Sequence, residues 1–445
     1  MVGHASHHRR PTPRQKAEKR LSMLALPMPP HLATWIIAGL ATLGVIVRPF
    51  AWPEAVWAVL GALALLVLGL ISPATAWEGV AKGTDVYLFL IGMMLLAEIA
   101  RKEGLFDWLA RIAARKAKGS ATRLFLLVYV VGTVVTVFLS NDACAVVLTP
   151  AVYAATKAAK VENPLPYLFI CAFIANAASF VLPISNPANL VVYATHMPPL
   201  VQWLARFALP SALAILATYV VLRLTQNAVL KTQTVATDVE ASALSGTGKV
   251  AGAGIVATAG VLIAASAYGL ELGLPTFLAG LATTLLVLAI KRSGAVEVIK
   301  DVSWSVLPLV AGLFVLVEAL EKTGVLKTIA DTLKAIAHGS PTEAAWGGGV
   351  LVAVLCNVVN NLPAGLIAGA AVQAADVSEK IAGAILIGID VGPNLSVTGS
   401  LATILWLTAI RREGEDVSFW RFLKLGALVM PPALLLALAG LLLVP

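Results

Sequence analysis

The sequence predicts an all-α membrane protein of about ten transmembrane helices in two inverted-topology repeats, each with a re-entrant hairpin and a discontinuous helix. Three observations predict it: the composition, an internal repeat, and paired breaks in otherwise apolar segments. Of 445 residues, 59% are hydrophobic and only 13% charged, and the mean hydropathy is +0.88. A soluble domain carries about a quarter charged residues and could not keep a wet exterior over so much apolar surface. The apolar residues fall in blocks nearly free of charge, at 33–47, 55–71, 86–100, 124–139, 203–222, 250–268, 276–290, 305–320 and 425–444. With their flanks these approach the roughly 20 residues a span needs.

The repeat fixes the architecture. Residues 90–115 match residues 310–335 at a constant shift of 220, which pairs Gly92 with Gly312, Glu98 with Glu318, Lys102 with Lys322 and Gly104 with Gly324. The same shift pairs Asn141 with Asn361. Apolar helices match by chance; polar and glycine positions in one ungapped register do not. The chain therefore divides into a basic N-terminal tail (1–30), a first repeat (31–224), a polar linker (225–249) and a second repeat (250–445). Each half reads as three spans, a short amphipathic helix, a segment broken by Asn, a segment broken by Pro, Gly and Asn, and a last span. Five crossings plus a hairpin make each half odd, so the second half inserts upside-down relative to the first.

Charge supports the inversion. The loop around the first amphipathic helix carries Arg101, Lys102, Arg111, Arg115, Lys116, Lys118 and Arg123, whereas Lys322, Lys327 and Lys334 of its twin are offset by Glu321, Asp331 and Glu343. Basic loops stay in the cytoplasm, so the first loop is inside and the second outside. The linker and the loops with Lys291, Arg292 and Lys300, and with Arg411, Arg412, Arg421 and Lys424, then also fall inside. The N-terminal tail is the exception: the span count puts it outside, although its basic residues favour the cytoplasm. The tail leads into a Pro-rich segment and a full-length span, and is not expected to be a cleavable signal. The net charge of +8 thus reads as topology, not as a nucleic-acid footprint, since no basic face is present.

Four breaks stand out: Ser140-Asn141-Asp142-Ala143; Pro183 to Asn189, with Ser185, Asn186 and Pro187; Asn357, Asn360, Asn361, Pro363 and Gly365; and Asp390-Val391-Gly392-Pro393-Asn394, continuing through Ser396, Thr398, Gly399, Ser400 and Thr403. In lipid every backbone polar group must find a partner, so such breaks persist only where they line a protein cavity. Breaks at corresponding places in two halves point to a transporter's midplane site. Ordinary kinks, with Ser and Asn bonding back to their own helices, are the plain alternative for any single break.

The segments SNDACAVVLTP (140–150), ANAASFVLPISNPANLVVY (175–193), CNVVNNLPAGLIAG (356–369) and DVGPNLSVTGSLATILW (390–406) resemble the signature segments of the ArsB-type arsenite and antimonite efflux permeases, within the wider ion transporter superfamily. The match runs over most of residues 85–410. Two positions depart from the family pattern: Pro187 stands where an aliphatic residue is usual, and Cys144 where a small or apolar one is. The resemblance implies export of trivalent arsenic and antimony as neutral trihydroxides, exchanged for protons, from a multi-pass protein of the bacterial inner membrane. It places Ser140 and Asn141 at one hairpin tip and Asn360 and Asn361 at the other. Ser185, Asn186 and Asn189 belong to one unwound helix, and Asn394, Ser396, Thr398 and Ser400 to the other.

These residues suit a neutral trihydroxide, which presents O–H donors and oxygen acceptors and needs no countercharge. Proton coupling needs a titratable group in the membrane, where a carboxylate costs roughly 3 kcal/mol on insertion scales. Asp142 and Asp390 are the candidates; the plain alternatives are a helix cap for Asp142 and local backbone bonding for Asp390. Glu98 and Glu318 precede basic residues and read as structural ion pairs. Cys144 and Cys356 are conceivable thiol contacts, weakly so because an exporter must release its cargo; Cys171 is a weaker case still, and buried free cysteine is usually inert. His196 reads as an interface residue. No phosphate-binding loop of the GxxxxGK[ST] type is present, so energy comes from an ion gradient or from a separate cytoplasmic ATPase partner. No metal, cofactor or enzyme activity is expected, since neither a metal-ligand motif nor a Ser–His–Asp grouping is visible. The competing expectation is a sodium- or proton-coupled anion carrier, or a sodium/proton antiporter, of the same superfamily. An anion would be repelled by Asp142.

Overall fold

The computed structural model describes residues 29–193, 197–239 and 243–444, and these form helices and short connections with no strand among them. Residues 1–28 of the basic tail and His196 lie outside the described residues. The first half runs α1 (Pro30–Val47), α2 (Glu54–Val67), α3 (Pro73–Lys82), α4 (Thr84–Lys102), α5 (Leu105–Ala117), α6 (Ala121–Phe138), α7 (141–158), α8 (Leu165–Ala177), α9 (Pro187–Tyr193) and α10 (Leu200–Thr225). A short helix α11 (Asn227–Thr232) opens the linker. The second half repeats the order as α12 (Gly246–Ala267), α13 (Gly273–Lys291), α14 (Val296–Asp301), α15 (Val306–Lys322), α16 (Val325–Gly339), α17 (Pro341–Val359), α18 (Asn361–Ala375), α19 (Glu379–Val391), α20 (Leu401–Arg412) and α21 (Phe419–Leu443).

Seven helices are individually long and apolar enough to cross a membrane, and the pair α3–α4, bent by 47°, makes an eighth. Two of the seven, α6 and α17, are hairpin arms: each ends at a tip whose residues, Ser140, Asn141, Asn360 and Asn361, are buried inside the protein. The remaining crossings of the ten are built from pieces too short to pass the test alone. Helix α8 has 13 residues, all buried, and α19 also has 13; neither reaches the roughly 20 needed to span. Each is completed across a break by α9 or α20.

The two halves interlock. Helix α4 packs on α13, and α2 on α15, so each half's third crossing lies against the other half's second. The repeated glycines explain the closeness. A methyl group at Gly92 would meet the Thr276 carbonyl oxygen at 2.4 Å, and one at Gly312 would meet the Ala58 backbone at 2.8 Å. Gly104 and Gly324 hold φ of 75° and 82° in the turns into α5 and α16, a conformation that disfavours other residues. Ser120 and Ser340, again 220 apart, cap the first arm of each hairpin by accepting from the amides of Arg123 and Glu343, both at 3.3 Å. These caps satisfy donors that the first turn of a helix leaves free.

Glu98 pairs with Arg101 at 2.6 Å, and Glu318 with Lys82 at 2.5 Å. Both carboxylates are therefore engaged in structural ion pairs at helix ends. The α16 helix keeps Ile329 and Ile336 exposed, while its twin α5 buries Leu105, Phe106 and three alanines of its last two turns. The two corresponding helices are thus packed differently in this conformation.

Replacing Gly312 by Val forces a branched side chain into the Ala58 backbone. Overpacking of this kind costs about 1–3 kcal/mol, so the variant is expected to unfold several degrees lower in a detergent thermal-shift measurement. Substitution of Gly339 by Ala is expected to leave the midpoint unchanged, because an added methyl there would meet nothing within 4 Å.

Candidate functional site

Both hairpins turn at repeat-equivalent residues. Ser140 turns with φ 156°, ψ 168°, and Asn360 with φ 72°, ψ 153°. The Asn360 conformation is one that glycine alone adopts freely, and it costs about 1–3 kcal/mol. Its side chain offsets this by donating to the Thr398 carbonyl at 3.1 Å and accepting from the Leu362 amide at 3.4 Å. Ser140 accepts from the Ala143 amide at 3.3 Å, and the Asn141 side-chain oxygen accepts from the Asp142 amide at 2.9 Å. A π-helical turn, Cys144–Leu148, follows the first tip; such turns recur at functional sites.

The break at 390–403 is laced to the second hairpin through Asn357. Its amide donates to the carbonyls of Ala353 (2.8 Å) and Gly392 (3.0 Å). Its side-chain oxygen accepts from the Ser396 amide (3.0 Å) and hydroxyl (2.8 Å), and the Thr398 hydroxyl donates to its backbone carbonyl at 3.1 Å. Ser400 and Thr403 cap α20 reciprocally. In the break at 183–189, the Ser185 hydroxyl donates to the Val137 carbonyl of hairpin arm α6 at 2.9 Å. Asn189 donates to the carbonyls of Ser179 (2.9 Å) and Leu182 (3.3 Å).

The two breaks then join each other. The Asn186 amide donates to the Asp390 carboxylate, its own oxygen accepting from the Ala188 amide at 3.0 Å. Asn176 donates to the Asn394 side-chain oxygen at 3.1 Å, and Asn394 donates on to the Phe173 carbonyl at 3.0 Å. Nearly every polar residue singled out in the four breaks thus lies in one buried region. Asn361 is buried at the second tip without a side-chain bond of its own among those described.

One cavity of about 660 Å³ reaches this region. Among the expected site residues, Ser140 and Asp142 line it, together with Pro187 at the start of α9 and the apolar face of α4 with Phe89, Met93 and Met94. Its rim carries the helix-end charges Glu98, Arg101, Asp107, Asp301 and Arg412. At that rim Lys102 sits 2.9 Å from Asp301 and holds its carboxyl below the ordinary carboxylate range. Asp390 lies behind the cavity, fully buried. The thiols lie elsewhere: Cys144 faces the Cys171 carbonyl at 3.5 Å, and Cys356 faces the Ile389 carbonyl at 3.9 Å. Neither lines the cavity.

The model of the CitMHS family, described as citrate transporter, matches residues 34–410. The chain belongs to the CitMHS family of membrane transporters. The arsenical pump membrane protein of Escherichia coli K12 is 28% identical over 417 residues, covering 86% of this chain and 92% of that one. The protein of the same name from Yersinia enterocolitica is 27% identical and covers 92% and 95%; an uncharacterized transporter of Mycobacterium tuberculosis is 26% identical and covers 85% and 91%. These relatives bear out the ArsB-type permease resemblance and a multi-pass inner-membrane location. The YdaH transporter of Alcanivorax borkumensis has the same fold, with a TM-score of 0.55 at 16% identity over 82% of this chain and 86% of that one. The MtrF efflux pump of Neisseria gonorrhoeae gives 0.53 at 14% identity, over 95% and 96%.

Two residues carry more of the geometry than the sequence assigned them. Asn357 is counted within the third break but not as a site residue, and Asn176 sits inside a quoted segment unremarked. Their signal is chemical: a lone amide in an otherwise apolar helix must find partners. Asn357→Ala leaves several of its former partners unpaired, each worth about 1–3 kcal/mol when buried. We expect a lower unfolding midpoint and at least a tenfold loss of transport in vesicles, with Asn357→Asp intermediate because it keeps the acceptor side.

Proposed function

We propose that this family member exports arsenite and antimonite from the cytoplasm as neutral trihydroxides, in exchange for protons, and acts as a carrier rather than an enzyme. The observation that carries this reading is the inner end of the cavity, where Ser140 and Asp142 meet an otherwise apolar wall. A neutral, hydroxyl-rich solute finds a donor and an acceptor there without a fixed positive charge. The names of the relatives support the same cargo.

In this reading the solute enters from the cytoplasmic rim and is held by Ser140 and Asn141 at one tip and by Asn360 and Asn361 at the other. The unwound segments, with Ser185, Asn186, Asn189, Asn394, Ser396, Thr398 and Ser400, hold the tips in place and lend polar groups as the cavity changes side. Of Asp142 and Asp390, Asp142 is the one that lines the cavity, and it alternates between the two ligands. Ionised, it accepts the solute's O–H groups; protonated from the far side, it releases them. Asp390 serves coupling indirectly, through the bond it shares with Asn186. A citrate-like anion is the poorer cargo, since its charge would face the Asp142 carboxylate at short range. Repulsion of about 1–4 kcal/mol at 4 Å, between the bulk-water and near-surface limits, opposes it. Thiol ligation is the poorer mode of binding because it favours retention over release.

Arsenite uptake into inside-out vesicles containing the chain tests the reading. Accumulation is expected when the lumen is acidified, and should collapse with an uncoupler. Absence of accumulation under any imposed gradient, with the folded protein present, would move the assignment to the anion or sodium carriers of the same fold.

A further inference from the structure

Every hydrogen bond needs a proton between its two heavy atoms, and the bonds around Asp390 are one proton short. Asp390 is completely buried near the end of α19. Its Oδ1 accepts from the Asn186 amide. That direction is fixed, because the Asn186 side-chain oxygen already accepts from the Ala188 amide at 3.0 Å. Ser179 is the other side chain that meets the carboxyl. Its hydroxyl approaches the Asn176 backbone carbonyl to 2.7 Å, the usual length of an O–H···O bond. A carbonyl carries no proton, so Ser179 supplies the one in that bond. The Ser179 oxygen therefore faces the carboxyl as an acceptor, and Asp390 Oδ2 receives no donor from the described residues. Two acceptors meet there, and of the two only the carboxyl can take up the proton that joins them.

Charge leads to the same proton. A buried carboxylate is costly without a cationic partner, and the ion pairs of the described residues all lie elsewhere. The titratable side chain that faces Asp390 is the Cys356 thiol of α17, which brings no positive charge. The first half offers a neutral counterpart. Helix α8 ends at Ala177 and α19 at Val391, and one residue before each end stands Asn176 in the first half and Asp390 in the second. The uncharged amide donates across the junction to Asn394 at 3.1 Å. A protonated carboxyl gives Asp390 the same means, one donor and one acceptor without charge.

We propose that Asp390 is a protonated carboxylic acid in the folded protein, accepting from Asn186 at Oδ1 and donating from Oδ2 to the Ser179 hydroxyl oxygen. The bonds then run in one direction, from Asn186 through Asp390 and Ser179 to the Asn176 carbonyl. Asp390 is a positioning residue: it holds Asn186, and with it the start of α9, against the end of α19. Its proton stays in place, which leaves titration against the cargo to Asp142. The proposal concerns the junction of the breaks and does not rest on the export reading.

Infrared spectra of the purified full-length chain and of Asp390→Asn, at neutral pH without metalloid, test the proposal. The unaltered chain should show the carbonyl stretch of a hydrogen-bonded carboxylic acid, above the amide region. Asp390→Asn should lose the intensity of one such group and leave the carboxylate bands unchanged. Loss from the carboxylate bands instead would overturn the proposal. Ser179→Ala should move the same stretch to higher wavenumber, because the acid loses its acceptor; an unmoved stretch would overturn the pairing with Ser179. Thermal unfolding gives a second measure. Asn has nearly the shape of the neutral acid and keeps a donor and an acceptor, so Asp390→Asn should unfold close to the unaltered chain, and Asp390→Ala several degrees lower. An Asp390→Asn chain that unfolds as low as Asp390→Ala, or does not fold, would show that the charge is needed and would also overturn the proposal. Failure of arsenite transport would affect none of these results, so the two readings fail separately.

Discussion

A helix that breaks inside a membrane exposes backbone groups and polar side chains that lipid cannot satisfy. In this chain the two breaks satisfy each other. Asn186 reaches from the break at 183–189 to Asp390 at the edge of the break at 390–403, and Asn176 reaches across to Asn394. Neither discontinuous helix could persist without its partner, since α8 and α19 are too short to span and too buried to be solvated. The hairpins depend on the breaks in turn. Ser185 holds arm α6, while Ser396 and Thr398 hold arm α17 through Asn357.

Around this junction the spans need no such chemistry. Their contacts are close backbone approaches permitted by glycine, with helix-end carboxylates neutralised by Lys and Arg. That division puts the rigid packing in the crossings and the polar, strained geometry at the tips and breaks. The strain at Asn360 belongs to the second tip, while the π-helical turn after Asn141 runs from the inner end of the cavity lined by Ser140 and Asp142. Polar residues with unfavourable backbone geometry persist only where surrounding structure over-determines them, as the hydrogen bonds of Asn357 and Asn360 do here.

Much of this was legible in the sequence because glycine and polar positions recur in one register against an apolar background. Gly92 and Gly312, Gly104 and Gly324, and Asn141 and Asn361 keep one register: the first pair permits close backbone approach, the second makes turns, and the third follows the two tip residues Ser140 and Asn360. The register then changes: α8 ends at Ala177 and α19 at Val391, 214 apart rather than 220. An ungapped comparison therefore hides that Asn176 and Asp390 occupy equivalent places, each one residue before its helix end. Asn357 was obscured differently. Nothing in its neighbours marks it as different from a kink residue; only the folded return of residues 392–398 brings Gly392, Ser396 and Thr398 to it. The packing difference between α5 and α16 was illegible for a third reason, because both carry similar amphipathic patterns and differ in what the conformation lays against them.

In the proposed mechanism Asp142 exchanges a proton for the cargo at the cavity's inner end. Proteoliposomes containing Asp142→Asn test it most directly, by comparing proton-driven arsenite accumulation with arsenite counterflow at equal pH on both sides. Counterflow is expected to survive while accumulation against a gradient is lost, because the site still binds but no longer titrates. Full uphill accumulation by Asp142→Asn, with the same proton dependence as the unaltered chain, would contradict it.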